Sequence, residues 1–197
     1  MKKFLKWTAA ILLVAVVALL WWGWAPDTDP AAMRAKYGGG SSQFVDMSAG
    51  LTLHIRDDGP KDAPAIILLH GSNGSLHTWE PWTKALVPDY RVIRIDLPGH
   101  GLTGSYPKGD YSRDGFVAVV DAAVFKLGLK RFTIGGNSMG GGVAWAYTLA
   151  HPDKVMALIL VDAAGAPIVK RGKPPLVFQI AQNPMLAPLL TQVFPCS

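Results

Sequence analysis

Four short runs constrain this chain more than any other feature: Pro64-Ala65-Ile66-Ile67-Leu68-Leu69, Arg91-Val92-Ile93-Arg94-Ile95, Phe132-Thr133-Ile134-Gly135 and Met156-Ala157-Leu158-Ile159-Leu160-Val161. They are short, rich in β-formers and nearly continuous in hydrophobicity, the pattern of strands covered on both faces. Helical segments at 79–86, 112–127 and 138–150 separate or follow them. In the second, Ser112 sits where an N-cap belongs, Phe116, Val119, Val120, Ala123, Val124 and Leu127 recur at helical spacing, and Gly128 follows as a C-cap glycine. Upstream, 43–47 and 51–56 alternate and are joined through Ser48-Ala49-Gly50, predicting a β-hairpin. A hairpin followed by alternating strands and helices predicts an α/β fold with a doubly wound, mostly parallel sheet.

Half of the 197 residues are hydrophobic and 17% are charged, enough apolar material for a core. The net charge of +5 does not describe a basic face. Lys2, Lys3 and Lys6 precede an apolar run, and Lys170, Arg171 and Lys173 lie near the other end; removing these six positives from +5 leaves the middle at −1. Nucleic-acid binding is therefore not expected. Cys196 is the one cysteine, which excludes an internal disulfide and a thiolate metal cluster.

From Trp7 to Trp24 no residue is charged, and Trp21, Trp22 and Trp24 follow the aliphatic stretch as an aromatic belt. Residues 1–25 are expected to be one N-terminal transmembrane helix, with the lysines inside and the rest of the chain on the outer, periplasmic or extracellular, face. A cleaved signal peptide shares the basic start and apolar middle, but this run is long and its best small-residue site, Gly23-Trp24-Ala25, is followed by Pro26. Residues 26–42, with prolines and Gly38-Gly39-Gly40-Ser41-Ser42, are expected to be a linker, 43–166 the core domain, and 167–197 a proline-punctuated apolar segment.

The chemistry concentrates at Gly136-Asn137-Ser138-Met139-Gly140, which fits Gly-x-Ser-x-Gly between a strand and a helix. In that setting the serine occupies a strained turn, the glycines relieve crowding, and the hydroxyl of Ser138 projects as a nucleophile. The helix N-terminus behind it favours negative charge. Acyl transfer needs two N–H donors for the developing oxyanion; Met139, just after the nucleophile, supplies one, and the loop His70-Gly71-Ser72-Asn73-Gly74 after an earlier strand can supply the other through Ser72. A glycine-rich turn that only packs or cradles a phosphate is the plainer alternative.

These residues resemble the α/β-hydrolase superfamily over 44–167, through His70-Gly71, Asp96-Leu97-Pro98-Gly99-His100-Gly101, Gly136-Asn137-Ser138-Met139-Gly140-Gly141 and His151-Pro152. The resemblance implies that Asp96 shapes its loop and is not catalytic. The wording around Ser138 is similar to carbon–carbon bond hydrolases, esterases and lactonases, whereas haloalkane dehalogenases and epoxide hydrolases usually carry aspartate there. Chain order in the family is serine, acid, then histidine. Asp162 is a candidate acid, although most relatives supply it one strand later. None of His54, His70, His77, His100 and His151 stands in the position of the base, so the family's last strands and its histidine are expected after Ser197, with 167–197 as the start of a cap or lid and the fold truncated in that cap. The apolar cap residues, Phe178 and Leu186 among them, point to a small apolar or aromatic ester-like substrate. No metal or organic cofactor is implied. A non-catalytic anchored binding protein is the alternative from another class.

Overall fold

In the computed structural model, which describes residues 2–23, 28–47, 50–165 and 176, the expected hairpin forms from β1 (Ser42–Asp46) and β2 (Thr52–Asp58), paired antiparallel. The strands β3 (Ala65–Leu69), β4 (Arg91–Ile95), β5 (Phe132–Asn137) and β6 (Val155–Val161) complete a sheet of order β1-β2-β4-β3-β5-β6. The pairs β3·β4, β3·β5 and β5·β6 are parallel, and β2·β4 is antiparallel. The α/β class and the mostly parallel sheet are thus as the sequence predicts.

Alternation along the strands builds one layer of core on each face. Ile55, Ile67, Leu69, Ile93, Ile95 and Ile134 point toward α4 (Arg113–Lys126) and α5 (Met139–Ala150) and pack with Phe116, Val120, Val124 and Tyr147. Ile66, Leu68 and Val92 face the other way, onto Trp79, which ends a 3-10 turn at Leu76–Trp79 leading into α3 (Glu80–Leu86). Each fully buried aliphatic side chain here contributes roughly 1.5–3 kcal/mol.

The local signals of α4 act as read. Ser112 accepts from Gly115 N–H at 3.1 Å. At the other end Gly128 has φ +66°, its N–H donates to Phe125 C=O and that of Leu129 to Val124 C=O, a Schellman closure.

Two expectations are corrected. Residues 26–42, expected to be a linker, contain α2 (Pro30–Tyr37), capped by Asp29, whose carboxylate accepts from Ala31 N–H at 3.0 Å. The helix is tied to the sheet by Arg34 over the Phe44 ring and by Arg56, which donates to the Tyr37 and Gly39 carbonyls; one compact unit accordingly spans Asp29–Pro167. The second concerns β6, expected to be covered on both faces: Met156, Leu158 and Leu160 are exposed, and of β3 to β6 only β3 is buried at every position.

The apolar run forms α1 (Lys2–Trp22), and its described side chains are exposed up to Trp22. Among the described residues no helix is long and apolar enough to cross a membrane, so the expected span is not met there. Trp24, Ala25 and Pro26, the Ser48-Ala49 part of the hairpin turn, and the cap segment 167–197 apart from Leu176 lie outside the described residues.

Candidate active site

Ser138 stands at the β5-to-α5 turn with φ +48° and ψ −113°, a backbone state that a residue with a side chain holds only where its surroundings impose it. The surroundings are visible. Ser138 N–H donates to Val161 C=O at 3.0 Å, and Ser138 C=O accepts from Gly142 N–H at 3.0 Å and Ala164 N–H at 2.8 Å. The turn is closed by two glycines that no other residue can replace without backbone collision: a Cβ on Gly136 would meet Gly140 C=O, and one on Gly140 would meet the carbonyls of Leu69 and His70. The Gly-x-Ser-x-Gly spacing is therefore a packing requirement of this turn.

The loop after β3 reaches the same place. A methyl on Gly71 would lie 3.2 Å from Ser138 Cβ, which puts the residue before Ser72 beside the nucleophile candidate. Met139 is the first residue of α5, so its N–H has no acceptor within the helix. Among the described residues Ser72 N–H donates to no backbone acceptor either. Asp162 follows β6 with φ +47°, and the segment carrying it clasps Ser138 through Val161 and Ala164. Its carboxylate is exposed.

His70 lies at this site but is fully committed. Its Nδ1–H donates to Gly71 C=O at 2.8 Å and its Nε2 accepts from Leu97 N–H at 3.0 Å. Both ring nitrogens are thereby used to clamp the loop after β3 to the loop after β4. Burial pushes the His70 pKa down and outweighs the Gly71 carbonyl and Asp96, so the ring is held neutral. The other four imidazoles are also engaged: His54 with Asp96 and Ser42, His77 with Ser75, His100 with Pro98 C=O, and His151 near Asp121. Among the described residues none bonds to Ser138 Oγ.

Asp96 is the buried hub of both loops. Its carboxylate accepts from His54 Nδ1–H at 2.6 Å, Leu76 N–H at 2.6 Å and Leu102 N–H at 2.9 Å. Burial works to raise its pKa, but the bonds from His54 and the two N–H groups outweigh it and hold the carboxyl below the usual carboxylate range. Gly101 is required here, since a Cβ would fall on the Asp96 carboxylate. The connection from Asp96 to His54 joins a loop to a strand 42 positions away, a separation that no local sequence pattern marks.

These shifts fix the sign of the pH dependence. A depressed folded pKa means that stability is present above the unfolded value and is lost as pH falls toward the folded one. His70 and His77 are both lowered, burial being the first cause of each, so losses begin below about 6.5. Asp96, with Asp57 and Asp121, adds a second loss below about 4. Urea midpoints by circular dichroism should be level from pH 8 to 7 and fall in two stages; a midpoint that rises on acidification would contradict the assignment.

A groove lined by Met47, Val117, Phe125, Leu129 and His151 contains none of Ser72, Ser138, Met139 and Asp162, so it is separate from this site. Among the described residues no cluster of side chains is suited to a metal ion.

A serine at a strained strand-to-helix turn, facing a glycine loop at the end of the neighbouring parallel strand, is the arrangement expected of an α/β-hydrolase elbow. Residues 64–188 match the alpha/beta hydrolase fold, and the chain belongs to that family. It is 30% identical over 168 residues to a monoacylglycerol lipase, abhd6-B, of Xenopus laevis, covering 84% of this chain and 45% of the relative. It is 36% identical over 130 residues to a 2-hydroxy-6-oxononadienedioate/2-hydroxy-6-oxononatrienedioate hydrolase of a Pseudomonas species, covering 62% and 45%. A crystal structure of a membrane phospholipase A, a bacterial virulence factor, superposes with a TM-score of 0.68 at 26% identity, over 97% of this chain and 60% of that one. The chain spans less than half the length of both curated relatives.

Proposed function

We propose that this chain is the front part of a membrane-anchored serine hydrolase acting on an ester, lactone or activated carbon–carbon bond on the outer face of a membrane. The observation that carries the hydrolase reading is the positive-φ backbone of Ser138 at the head of α5, with Gly71 packed against it. In this reading Ser138 Oγ attacks the substrate carbonyl. The N–H groups of Met139 and Ser72 receive the oxyanion, and α5 adds its N-terminal dipole. Asp162 is a candidate acid from the segment that clasps Ser138, and the base is a histidine carried by sequence beyond this chain. Water then releases the acyl group. The substrate is a small apolar or aromatic ester-like molecule, a choice supported by the lipase and carbon–carbon hydrolase relatives.

The test is a gene product extended through the next open frame. With nitrophenyl esters, Ser138→Ala should lower kcat/KM by about a thousandfold or more, and Asp162→Asn should lower it less, because most relatives of this kind draw the acid from the following strand. Full activity in Ser138→Ala would refute the reading.

The anchor is supported by the lysine-first charge bias, the uncharged run 7–24, and the exposed apolar side chains of α1, a surface that water solvates poorly. Alkaline phosphatase fused after Thr28 should be active outside the cytoplasm and sediment with membranes. A soluble, shortened product would mean that the segment is cleaved.

A further inference from the structure

A second serine carries the relay that, among the described residues, Ser138 lacks. Ser42 opens β1 and pairs across the hairpin with Arg56, while His54, two residues before Arg56, shares its face of β2. Ser42 Oγ lies 2.9 Å from His54 Nε2, and His54 Nδ1 lies 2.6 Å from Asp96 Oδ2. The ionised Asp96 carboxylate can only accept, so Nδ1 carries a proton and the opposite ring nitrogen, Nε2, faces the Ser42 hydroxyl. Both partners of the ring are fixed. The Phe44 ring stacks on it at 4.9 Å and 19°, and Asp96 is held by the N–H groups of Leu76 and Leu102. Arg56 Nε–H donates to the same Ser42 oxygen at 3.1 Å, placing a guanidinium where an alkoxide develops; that guanidinium is itself anchored on the carbonyls of Tyr37 and Gly39.

Each distance lies within the reach required of a nucleophile, its base and the group that orients the base. Ser42 is half-buried rather than sealed, while His54 is fully buried behind it.

We propose that Ser42 is a second activated serine, a site of acyl transfer from small activated esters, with His54 as general base and Asp96 as its orienting carboxylate. In the step, Ser42 Oγ bonds to the ester carbonyl carbon as its proton passes to His54 Nε2. The carbon–oxygen bond to the leaving group then breaks, and His54 Nε2 passes that proton to the leaving aryloxide or to water. The product is an acyl ester on Ser42 and one equivalent of phenol. The inference is independent of whether Ser138 is a working nucleophile.

The experiment uses the full chain in mild detergent with p-nitrophenyl acetate, followed by nitrophenolate release, intact mass and peptide mapping. One hydroxylamine-labile acetyl group is expected on the peptide holding Ser42, at the same rate in Ser138→Ala, and absent in Ser42→Ala. His54→Gln should slow its formation about a hundredfold, the lower end of what a positioned base supplies. Removal of a buried imidazole can unfold the hairpin, so the Ser42→Ala comparison and the mapped site decide the matter in chains that keep native circular dichroism. An ester found on Ser138 and not on Ser42, labelling of lysines only, or no adduct on a folded chain would overturn the proposal.

Discussion

Gly140→Ala should destabilise the domain by more than about 4 kcal/mol, the range reserved for substitutions that break a structural requirement, and so remove much of a stability that is typically 5–15 kcal/mol in all. The added Cβ would lie 2.4 Å from two backbone oxygens, those of Leu69 and His70. Neither can retreat. Leu69 is held in β3 between β4 and β5, and His70 is pinned at both ring nitrogens. The proper comparison is Gly128→Ala, where nothing lies within 4 Å and only the +66° φ is strained, so about 1–2 kcal/mol should be lost. Urea titrations of both variants, monitored by circular dichroism, give the two numbers side by side. A Gly140→Ala protein as stable as Gly128→Ala would show that the β3 end and α5 can move apart, and the account of why glycine stands before and after Ser138 would fail with it.

What the chain reveals as a string and what it conceals differ by the range of the interactions. Ser112 and Gly128 act on their own neighbours through bonds to Gly115, Phe125 and Val124, so cap and stop were legible where they stand. The same holds for the elbow, because strand, glycine, serine, glycine and helix are consecutive. Helix α2 escaped notice for a physical reason: its eight residues bury none of their side chains, leaving no apolar period to detect, although Asp29 before Pro30 is a start signal. The exposed face of β6 was equally unreadable, since an apolar run states that its side chains want cover and not that cover is present. Least accessible was the Ser42, His54 and Asp96 set, drawn from two strands of a hairpin and the loop after β4. No spacing rule connects positions 42, 54 and 96; only the sheet order β1-β2-β4 brings them together.

The same long-range bookkeeping of imidazoles decides what this chain does with substrate on its own. It should show no Ser138-dependent turnover of nitrophenyl esters above background. A serine hydroxyl at neutral pH needs a base within about 3 Å, and the five histidines are spent elsewhere: His54 on Asp96 and Ser42, His70 on Gly71 and Leu97, His77 on Ser75, His100 on Pro98, His151 beside Asp121. Freeing His70 would break the clamp that holds Gly71 against Ser138, so it cannot serve without dismantling the loop after β3 that it supports. An elbow and two N–H donors without a base retain only the residual acceleration of binding and oxyanion stabilisation, on the order of a thousandfold or more below a complete site. The measurement is steady-state release over many equivalents, with Ser42→Ala as the parent so that any single-equivalent acylation at Ser42 is removed, and Ser138→Ala as the control. Identical rates in parent and control are expected. Sustained turnover lost in Ser138→Ala would require one of the five imidazoles to swing out of its present bonds and into reach of Ser138 Oγ, and would place the base within this chain.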